Sequence, residues 1–569
     1  MSNPRTADQD KSLGRFYTPA RLARLTLALA LGPIGSEAWR TARIWDPTCG
    51  DGGFLRHAAD LGGTRLVGHD LDGAAIAALA GMLPQARLQQ ADLFDLDPVD
   101  LGLFDAIAGN PPYVRHERRE PRRQREIATR LGAWLGVALP GGADLSLLAL
   151  IQALRFLAPG GRLAFVLPAT FLDVARAAGV RAALLDRFAL RAVVESRRDP
   201  WFDNAAVNTV VAVFERSGEQ RTVFARIDHT GPELAPVIEA GRSADGVRSR
   251  TIDRSTLRAA PRWSTFLRAP DLWFEVLEQA DGAFVRPERV LSLAYGTKPG
   301  ISAFFAPRDL AELDGIEPDC LRPFLRSLKG VDGYVVRAAD VPGRIFAVPQ
   351  ACDEPPTGAR AWIRQGEGRL TPAGVPFPQA PSVRGNRPWW RLPRPRSGSV
   401  LFPQFRAARH HVIDNPEHVL VNNSAWWGAW AAPGLHEPGI ALLNTSWMAL
   451  AAEVLGRINL GEGLLTLYGP EIAALPLPDP RRLMASAFRP ALMAAWASLR
   501  ARSVLPFADE ISRPDRLALD GAALSGLELP PSLGPRIRDA AATLMAERLA
   551  LAQSRRGAPG GEASAALSS

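Results

Sequence analysis

The first 220 residues alternate short apolar runs with longer segments that have helical spacing. The apolar runs predict strands, and they read "ARIWDP", "TRLVGHD", "FDAIAGN", "GRLAFVLPA", "LRAVVESR" and "VNTVVAVFE". Alanine- and leucine-rich segments such as "GAAIAALAGML" and "LSLLALIQALRFLAPGG" lie between several of these runs and predict helices. This alternation predicts an α/β fold, with a parallel, doubly wound sheet that has helices on both faces. Ligands of such sheets bind at the carboxyl ends of the strands.

The pattern changes beyond residue 220, where prolines, glycines and tryptophans become frequent and helical periodicity fades. We therefore expect one domain over residues 1–220 and a second, mixed α+β domain over residues 221–480. Residues 481–555 are rich in good helix formers and predict a helical C-terminal segment. Residues 556–569 have the composition of a linker and predict a disordered tail.

The charge balance favours a polyanionic partner. The chain has 569 residues, a net charge of +8 and an isoelectric point near 9.9. Arginine carries nearly all of the positive charge, because only Lys11, Lys298 and Lys329 are lysines. Nucleic acid is the simplest partner for such a chain, and an arginine-rich genome is the alternative explanation.

Cysteine content and hydropathy favour a reducing, aqueous compartment. Cys49, Cys320 and Cys352 are too few and too scattered for a disulfide framework or a zinc site, so no metal site is predicted. The polar N-terminus lacks the apolar core of a signal peptide. No apolar run approaches the length of a membrane span. We expect a cytoplasmic protein that does not contact a membrane.

A glycine-rich turn follows the first predicted strand in "IWDPTCGDGGFL". Glycines let the backbone pass close to a ligand, and the start of the next helix offers amide donors. Asp46, Asp70 and Asp92 close three successive strands. In nucleoside-binding folds the acid after the second strand accepts hydrogen bonds from ribose hydroxyls. Asp92 is placed to accept from an exocyclic amine. The alternative is that these acids are exposed turn or cap residues.

The sequence "NPPY" follows the strand "FDAIAG" and forms a rigid corner that lacks backbone donors. The Asn110 side-chain oxygen and the Pro111 carbonyl are two acceptors for the protons of an exocyclic amine. An amine held in this way keeps its lone pair available for reaction. Tyr113 offers a ring on which an unstacked base can lie. The alternative is a strand-to-loop turn with an aromatic plug.

The segments "GRFYTP", "DPTCGDGGFL", "GHDLD", "ADLF", "GNPPYV" and "WFDNAAVNTVVAVF" occur in the order seen in one enzyme family. Over about the first 220 residues the chain resembles gamma-class N6-adenine DNA methyltransferases, the TaqI-like restriction–modification methylases. The resemblance implies a Rossmann-like methyltransferase domain and S-adenosylmethionine as the methyl donor. It also implies transfer of the methyl group to N6 of a flipped adenine in double-stranded DNA.

The resemblance also assigns roles to residues. The implied cofactor-binding residues are Thr18, Asp46, Thr48, Gly50, Gly52, Asp70, Asp92, Leu93 and Pro112. The implied catalytic residues are Asn110, Pro111, Pro112, Tyr113 and Phe202. Phe202 resembles the second aromatic of the family, which meets the flipped base edge-on opposite Tyr113. The chain departs from the family at Leu93 and Ala149, where an aromatic is common, and these departures predict weaker cofactor binding.

Basic residues interleaved with tryptophans predict DNA contacts in the second half of the chain. The predicted contacts there are Arg387, Trp389, Trp390, Arg391, Arg394 and Arg406. The alternative is a packed tryptophan pair with solvated arginines. Arg115 and Arg118 lie in "RHERREPRRQR", which predicts a mobile basic loop near the DNA backbone. "YGTKPGISAFF" and "LLTLYGPEIAALPLPDP" resemble the beginning and end of a DNA target-recognition domain.

The sequence predicts a methylase without its own nuclease. No acid stands two residues before any lysine, since Gln9, Gly296 and Ser327 occupy those positions. A separate restriction endonuclease or defence subunit is therefore a candidate partner, and a monomer is expected. No cysteine follows a proline, which excludes cytosine-C5 methylation. Methylation of cytosine N4, RNA or protein glutamine stays open. A non-catalytic DNA-specificity subunit is the alternative from a different class.

Overall fold

The structure is a computed structural model and divides into two compact units, Met1–Arg268 and Ala269–Ser569. It describes residues 18–113, 121–140, 143–173, 177–197, 201–202, 208–218, 220–280, 282–393, 395–459, 463–484 and 486–556. Each unit has its own hydrophobic core.

The first unit is built on a nine-stranded sheet with the strand order β3-β2-β1-β4-β5-β7-β6-β8-β9. The strands are β1 (Arg43–Asp46), β2 (Arg65–Asp70), β3 (Arg87–Gln90), β4 (Phe104–Gly109), β5 (Leu157–Pro168), β6 (Ala189–Ser196), β7 (Thr209–Glu215), β8 (Arg221–Ile227) and β9 (Val247–Asp253). The first five strands in sequence pair with one another in parallel. Strand β7 is antiparallel to both β5 and β6. Because β1 lies between β2 and β4, the strand order reverses beside it, and ligands bind at such points.

Helices cover both faces of this sheet. The α-helices of the first unit are Ala20–Leu31, Glu37–Thr41, Gly53–Asp60, Gly73–Met82, Pro98–Leu101, Pro121–Leu135, Leu145–Leu154, Ala178–Arg187, Ala235–Glu239, Arg254–Ala259 and Ser264–Arg268. Ala106 and Ala108 of β4 share a buried core with Leu25 of the first helix. Ile107 lies between them and faces the opposite side, as the period of two in a strand requires. Both faces of β4 are therefore buried, which explains its continuous apolar run.

The predicted α/β class and doubly wound sheet are confirmed, while two details differ. Strands β8 and β9 extend the same sheet, so the first unit continues past the predicted boundary at residue 220. Strand β5 begins at Leu157, inside the segment predicted to be helical, and the helix ends at Leu154. The backbone hydrogen bond from Phe104 N–H to Phe156 O draws that segment into the sheet.

The second unit combines small sheets with helices around several hydrophobic clusters. Its strands are β10 (Phe284–Val285), β11 (Leu291–Tyr295), β12 (Leu321–Leu325), β13 (Arg344–Phe346), β14 (Val400–Pro403), β15 (Phe405–Arg406), β16 (Ile413–Asp414), β17 (Leu420–Val421), β18 (Ala425–Trp430), β19 (Arg457–Asn459), β20 (Leu464–Thr466) and β21 (Leu477–Pro478). Its α-helices are Asp271–Gln279, Ser302–Phe305, Thr357–Glu367, His436–Leu443, Ser446–Leu455, Gly469–Ala473, Pro480–Met484, Arg489–Arg500, Phe507–Glu510, Pro514–Gly526 and Leu533–Arg556.

The predicted helical C-terminal segment does not form a core of its own. Leu492 and Leu519 from this segment pack in the same cluster as Trp273 and Trp447, which precede it in the chain. The predicted division near residue 480 therefore runs through one core. Of the predicted tail, only Arg556 is among the described residues, and it ends the last helix.

Two remaining sequence predictions concern cysteines and membrane spans. All three cysteines are free thiols. Among the described residues, no group of acidic, histidine or cysteine side chains is arranged to hold a metal ion. No single described helix is long and apolar enough to cross a membrane, and one bent pair, Pro433–Leu443 with Ser446–Leu455, meets the test by length and composition alone.

Candidate active site

A cavity of about 880 Å³ lies in the first unit, where β1, β2, β3 and β4 end. Its size falls within the usual range for small-molecule and cofactor sites, roughly 300–1,000 Å³. The parallel strands bring their carboxyl ends to one edge of the sheet, and the sequence-predicted residues meet there. The predicted residues that line the cavity are Thr18, Asp46, Thr48, Gly50, Asp70, Asp92, Leu93, Asn110 and Pro112.

The Asp70 carboxylate accepts hydrogen bonds from two of the loops that form the cavity. The Gly50 N–H donates to Asp70 Oδ2 at 2.8 Å, and the Asp72 N–H donates to Asp70 Oδ1 at 2.9 Å. One donor comes from the glycine-rich turn after β1, and the other precedes the helix Gly73–Met82. Each carboxylate oxygen keeps further acceptor capacity, so Asp70 is oriented and still able to bind hydroxyl groups.

The glycine-rich turn needs glycine at position 52 for two reasons. Gly52 has φ of +82°, in the left-handed region that side chains disfavour. A Cβ at this position would lie 2.2 Å from Leu79 Cδ1. Gly52 is not part of the cavity wall, so it shapes the turn and lets the helix that carries Leu79 pack closely against it.

Asp46 is an acid that the fold buries almost completely, with 1% of its surface exposed. Burial raises its pKa well above the usual value, the nearby charges of Asp70 and Asp51 raise it further, and the hydrogen bond from the Thr48 N–H opposes these effects. That hydrogen bond runs to Asp46 Oδ1 over 3.2 Å. Three acids around one buried point create a negative potential, which favours a cationic ligand.

Asp92 begins a 3₁₀ turn, Leu93–Asp95, that forms another part of the cavity wall. Its carboxylate accepts from the Phe94 N–H at 3.1 Å. Gln152 is fully buried and donates from Nε2 to Leu93 O at 3.0 Å and to Leu96 O at 2.9 Å. Helix Leu145–Leu154, which carries Gln152, therefore holds this turn in place.

Phe94 and Leu71 are two of the hydrophobic cavity residues that were not predicted from the sequence. Phe94 is buried at 2% exposure and lines the cavity, directly after Leu93. An aromatic therefore stands at this wall, one position later than expected. Leu71 also lines the cavity and is 59% exposed, a large value for a leucine. Its signal in the sequence was its position directly after the strand-closing Asp70.

The catalytic candidate Asn110 follows β4 and lies in the cavity wall. Its Nδ2 donates to Thr18 Oγ1 at 3.2 Å, which directs Oδ1 away from Thr18. The Tyr113 hydroxyl is within hydrogen-bond distance of Asn110 Oδ1 and 3.1 Å from Val166 O. Burial and the charge of Asp144 raise the pKa of Tyr113 well above its usual value, so its hydroxyl stays protonated and can donate.

The other predicted catalytic residues occupy the following places. Pro111 is buried, and Pro112 lines the cavity. Phe202 is 8% exposed and packs in the core of the first unit. Its predicted role opposite Tyr113 stays a prediction. Burial and the charge of Asp46 raise the pKa of the Cys49 thiol, so Cys49 remains protonated.

The predicted DNA-contacting segment of the second unit is partly used for packing. The Trp389 ring lies 4.6 Å from the Phe304 ring, centroid to centroid. Arg391 donates to Cys352 O at 2.7 Å, and its guanidinium lies 5.1 Å from the Trp390 ring centre. These contacts match the alternative of a packed tryptophan pair. Arg387 is exposed and donates to neighbouring backbone carbonyls.

The predicted DNA contact of Arg406 conflicts with its position. Arg406 is 5% exposed and lies 2.8 Å from His410 Nδ1 through its Nη1 atom. Burial lowers its pKa to about 10. A guanidinium enclosed by protein is not presented to a DNA backbone, so Arg406 is an interior residue. Arg115, Arg118 and Arg394 lie outside the described residues.

The first unit is similar in sequence to a known protein family and to known methyltransferases. Residues 4–231 match the family model described as N-6 DNA Methylase. The chain is 36% identical over 180 residues to the type II methyltransferase M.TthHB8I of Thermus thermophilus. The aligned region covers 30% of this chain and 38% of that protein. It is 28% identical over 270 residues to the type II methyltransferase M.XamI of Xanthomonas campestris pv. amaranthicola, with 45% and 47% covered. The chain thus matches less than half the length of either relative.

Among solved structures, the type IIL restriction-modification enzyme MmeI in complex with DNA has a TM-score of 0.56 and 14% identity to this chain. The similarity covers 96% of this chain and 76% of that one, and it shows a shared fold. The ordered motifs, the cavity at the strand ends and the family-model match agree, and they confirm the resemblance of the first unit to N6-adenine DNA methyltransferases.

Proposed function

We propose that this chain is a site-specific DNA methyltransferase that transfers the methyl group of S-adenosylmethionine to N6 of a flipped adenine. The observation that carries the proposal is the placement of Asn110. Its Nδ2 is held by Thr18 Oγ1 at 3.2 Å, and it stands in the wall of an acid-lined cavity. The match to the N-6 DNA Methylase model and the names of the type II methyltransferase relatives support the reaction class.

The cavity residues fit S-adenosylmethionine. Asp70 would accept from the ribose hydroxyls, because both of its oxygens are oriented by backbone N–H groups. Thr48 Oγ1 is buried and lacks a hydrogen-bond partner among the described residues, so it suits a polar group of the cofactor. The negative potential around Asp46 complements the ammonium and sulfonium charges. When bound, the cofactor supplies a methyl group activated by the positive sulfur.

Asn110 and Pro111 would orient the adenine amine. The Asn110 Oδ1 and the Pro111 carbonyl each accept a hydrogen bond from one N–H of the amine, which leaves the nitrogen lone pair directed out of the ring plane. The amine nitrogen gains the methyl group and then loses one proton to solvent. The Tyr113 hydroxyl occupies the Asn110 acceptor in this structure, so an incoming amine would displace it. The Tyr113 ring would then support the unstacked base. Positioning supplies most of the acceleration, and no strong base is required.

Double-stranded DNA is the proposed partner. The net charge of +8 favours a polyanion, and the fold is shared with an enzyme whose structure was solved in complex with DNA. We further propose a restriction–modification or phage-defence context, with a separate endonuclease or defence subunit as a candidate partner. A monomeric state and a cytoplasmic location complete the proposal.

The test is modification-sensitive sequencing of plasmid DNA from a methylase-free host that expresses the protein. We expect one sequence motif to carry N6-methyladenine, and we expect Asn110→Ala to lose the mark. Removing one positioned acceptor typically costs about 10²–10³ in kcat. N4-methylcytosine at a motif would change the base and retain the mechanism. An unmodified plasmid from folded protein that binds S-adenosylmethionine would overturn the proposal.

Asn110→Ala needs a control for folding and for cofactor binding. Its affinity for S-adenosylmethionine, measured by calorimetry, should stay close to that of the unmodified protein. Arg364→Ala serves as a matched surface control, because Arg364 is exposed on helix Thr357–Glu367 of the second unit. This variant should retain full methylation.

A further inference from the structure

Three loops from distant parts of the chain meet at one place in the second unit. They are residues 295–298 after β11, residues 326–329 after β12, and residues 422–424 between β17 and β18. The Thr297 N–H donates to Val421 O at 2.6 Å, and the Asn422 N–H donates to Leu325 O at 2.9 Å. We call this the three-loop surface. Its parts are joined by main-chain hydrogen bonds, so their relative positions are fixed.

The close approach of two of these loops depends on Gly296. A Cβ at position 296 would lie 2.2 Å from Asn422 O, far inside van der Waals contact with a backbone atom. Gly296 N–H also donates to Ala425 O at 3.0 Å, which continues the pairing of β11 with β18. The three-loop surface is therefore a tightly built, preformed feature of the second unit.

The three-loop surface carries positive charge and no acid. Residues 295–298, 326–329 and 422–424 contain no aspartate or glutamate. Two of the three lysines of the chain, Lys298 and Lys329, lie on it, and both are exposed. Nearly all other basic residues of the chain are arginines, so two lysines on adjoining loops are a local enrichment of lysine.

Arg326 adds a charge that is not neutralised. Its guanidinium donates to Pro307 O. Within the described parts of the chain, Arg326, Lys298 and Lys329 form no ion pair with a carboxylate. Burial lowers the pKa of Arg326, and the positive charge of Arg308 lowers it further. Uncompensated like charges at one surface favour an anionic partner.

An exposed aromatic side chain borders these charges. Tyr295 is 50% exposed, and its ring centre lies 3.7 Å from that of Trp426. Trp426 is 9% exposed, so the tyrosine rests on a buried support. Asn423, on the loop between β17 and β18, is exposed, and its N–H donates to Asn422 Oδ1 at 2.9 Å. Aromatic faces contact bases and sugars, and asparagine amides pair with adenine edges.

We propose that the three-loop surface reads the DNA target sequence, with Lys298 and Lys329 on phosphates and Asn423 and Tyr295 toward the bases. This inference rests on the proposed function. It adds a second candidate reader to the arginine-rich segment of residues 384–409, where Arg391 donates to backbone carbonyls and Arg406 is buried, while Arg387 is exposed. The three-loop surface offers further charged and polar groups that the fold leaves exposed.

The experiment uses the full chain and a duplex that carries the motif methylated by the unmodified protein. Binding is measured at several salt concentrations for Lys298→Ala, Asn423→Ala and the control Arg364→Ala. Lys298→Ala should weaken binding to all sequences and reduce the slope of log affinity against log salt by about 1. Asn423→Ala should lower discrimination at one motif position roughly 5- to 150-fold, visible as a relaxed motif in sequencing.

The two proposals fail in different ways. If the unmodified protein methylates a motif and both variants retain its affinity, salt slope and motif, the three-loop surface is not the reader. If the unmodified protein neither binds nor methylates DNA, the proposed function fails first. Both substituted side chains are exposed, and an unchanged thermal unfolding profile of the full chain verifies that the variants are folded.

Discussion

The Tyr113 hydroxyl lies within hydrogen-bond distance of Asn110 Oδ1, the atom expected to accept a hydrogen bond from the substrate amine. Val166 O, 3.1 Å from the same hydroxyl, offers a second acceptor when the first is needed by substrate. Tyr113 therefore has two separable features. Its ring is available for stacking, and its hydroxyl satisfies the Asn110 acceptor while no base is present.

Substitutions at Tyr113 should separate these features. Tyr113→Phe retains the ring, so we expect most of the methylation activity to remain. Tyr113→Ala loses base stacking of about 1–3 kcal/mol, which lowers kcat/KM roughly 5- to 150-fold. Steady-state methylation of a duplex that carries the motif measures both. Equal defects in the two variants would show that the hydroxyl, and not the ring, is required.

Asp70→Asn should weaken cofactor binding. An amide cannot accept from both the Gly50 and the Asp72 N–H groups and also bind the cofactor as a carboxylate does. Loss of a hydrogen bond to a charged group predicts a roughly 10- to 100-fold lower affinity for S-adenosylmethionine, measured by calorimetry. Asp60→Asn is the matched control, since Asp60 is an exposed acid at the end of helix Gly53–Asp60. Unchanged affinity in Asp70→Asn would remove Asp70 from the site.

Asp46 should make cofactor affinity depend on pH. Burial raises the pKa of Asp46, so its charge is lost at a higher pH than for an ordinary aspartate. Affinity for the cationic cofactor should therefore fall as the pH decreases through this raised pKa. Calorimetry at several pH values should show that Asp46→Asn binds more weakly and with a flatter pH profile. An identical profile in both proteins would contradict this prediction.

The same pKa shift predicts how ligand-free stability changes with pH. A carboxyl whose pKa is higher in the folded than in the unfolded state binds more protons when folded. Its contribution to the free energy of unfolding is most favourable below the ordinary aspartate pKa and decreases as the pH rises toward the raised value. Asp46→Asn should lack this decrease when the two proteins are compared by thermal unfolding across pH.

Gln152 should act as a positioning residue for the cavity wall. Gln152→Met leaves Leu93 O and Leu96 O without their donor, at a cost of about 1–3 kcal/mol in stability. Because the turn Leu93–Asp95 lines the cavity, affinity for S-adenosylmethionine should fall as well. Arg122→Met is the control, since Arg122 is exposed on helix Pro121–Leu135 and pairs with Glu126. Lower stability with unchanged cofactor affinity would indicate a purely structural role.

Breaking the buried ion pair between Arg548 and Glu453 at one partner should destabilise the second unit. Their side chains are 1% and 3% exposed, and two guanidinium nitrogens contact the carboxylate at 2.9 and 2.7 Å. Arg548→Met leaves a buried charge unpaired, and we expect a loss of about 3–5 kcal/mol in urea unfolding. The double variant Glu453→Leu with Arg548→Met should recover much of this loss. A neutral single variant would contradict the prediction.

The sequence by itself determined the sheet strands near the site and the residues at their ends. Asp46, Asp70 and Asn110 each end or follow an apolar run, Asp92 follows the polar strand Arg87–Gln90, and parallel strands of one sheet bring their carboxyl ends together. Their meeting in one cavity follows from the strand pattern and needs no knowledge of side-chain packing. The glycine-rich turn was predictable for the same reason, since its residue types have local conformational causes.

Only the tertiary structure decided which side chains are used for packing. Arg406 is buried beside His410, while Lys298 stays exposed, although both are basic residues with aromatic neighbours in sequence. Two further contacts join residues that are far apart in the chain. Gln152 donates a hydrogen bond to Leu93 O in the cavity wall, and loop 295–298 contacts loop 422–424. Burial and hydrogen-bond partners depend on such distant contacts, and local periodicity carries no information about them.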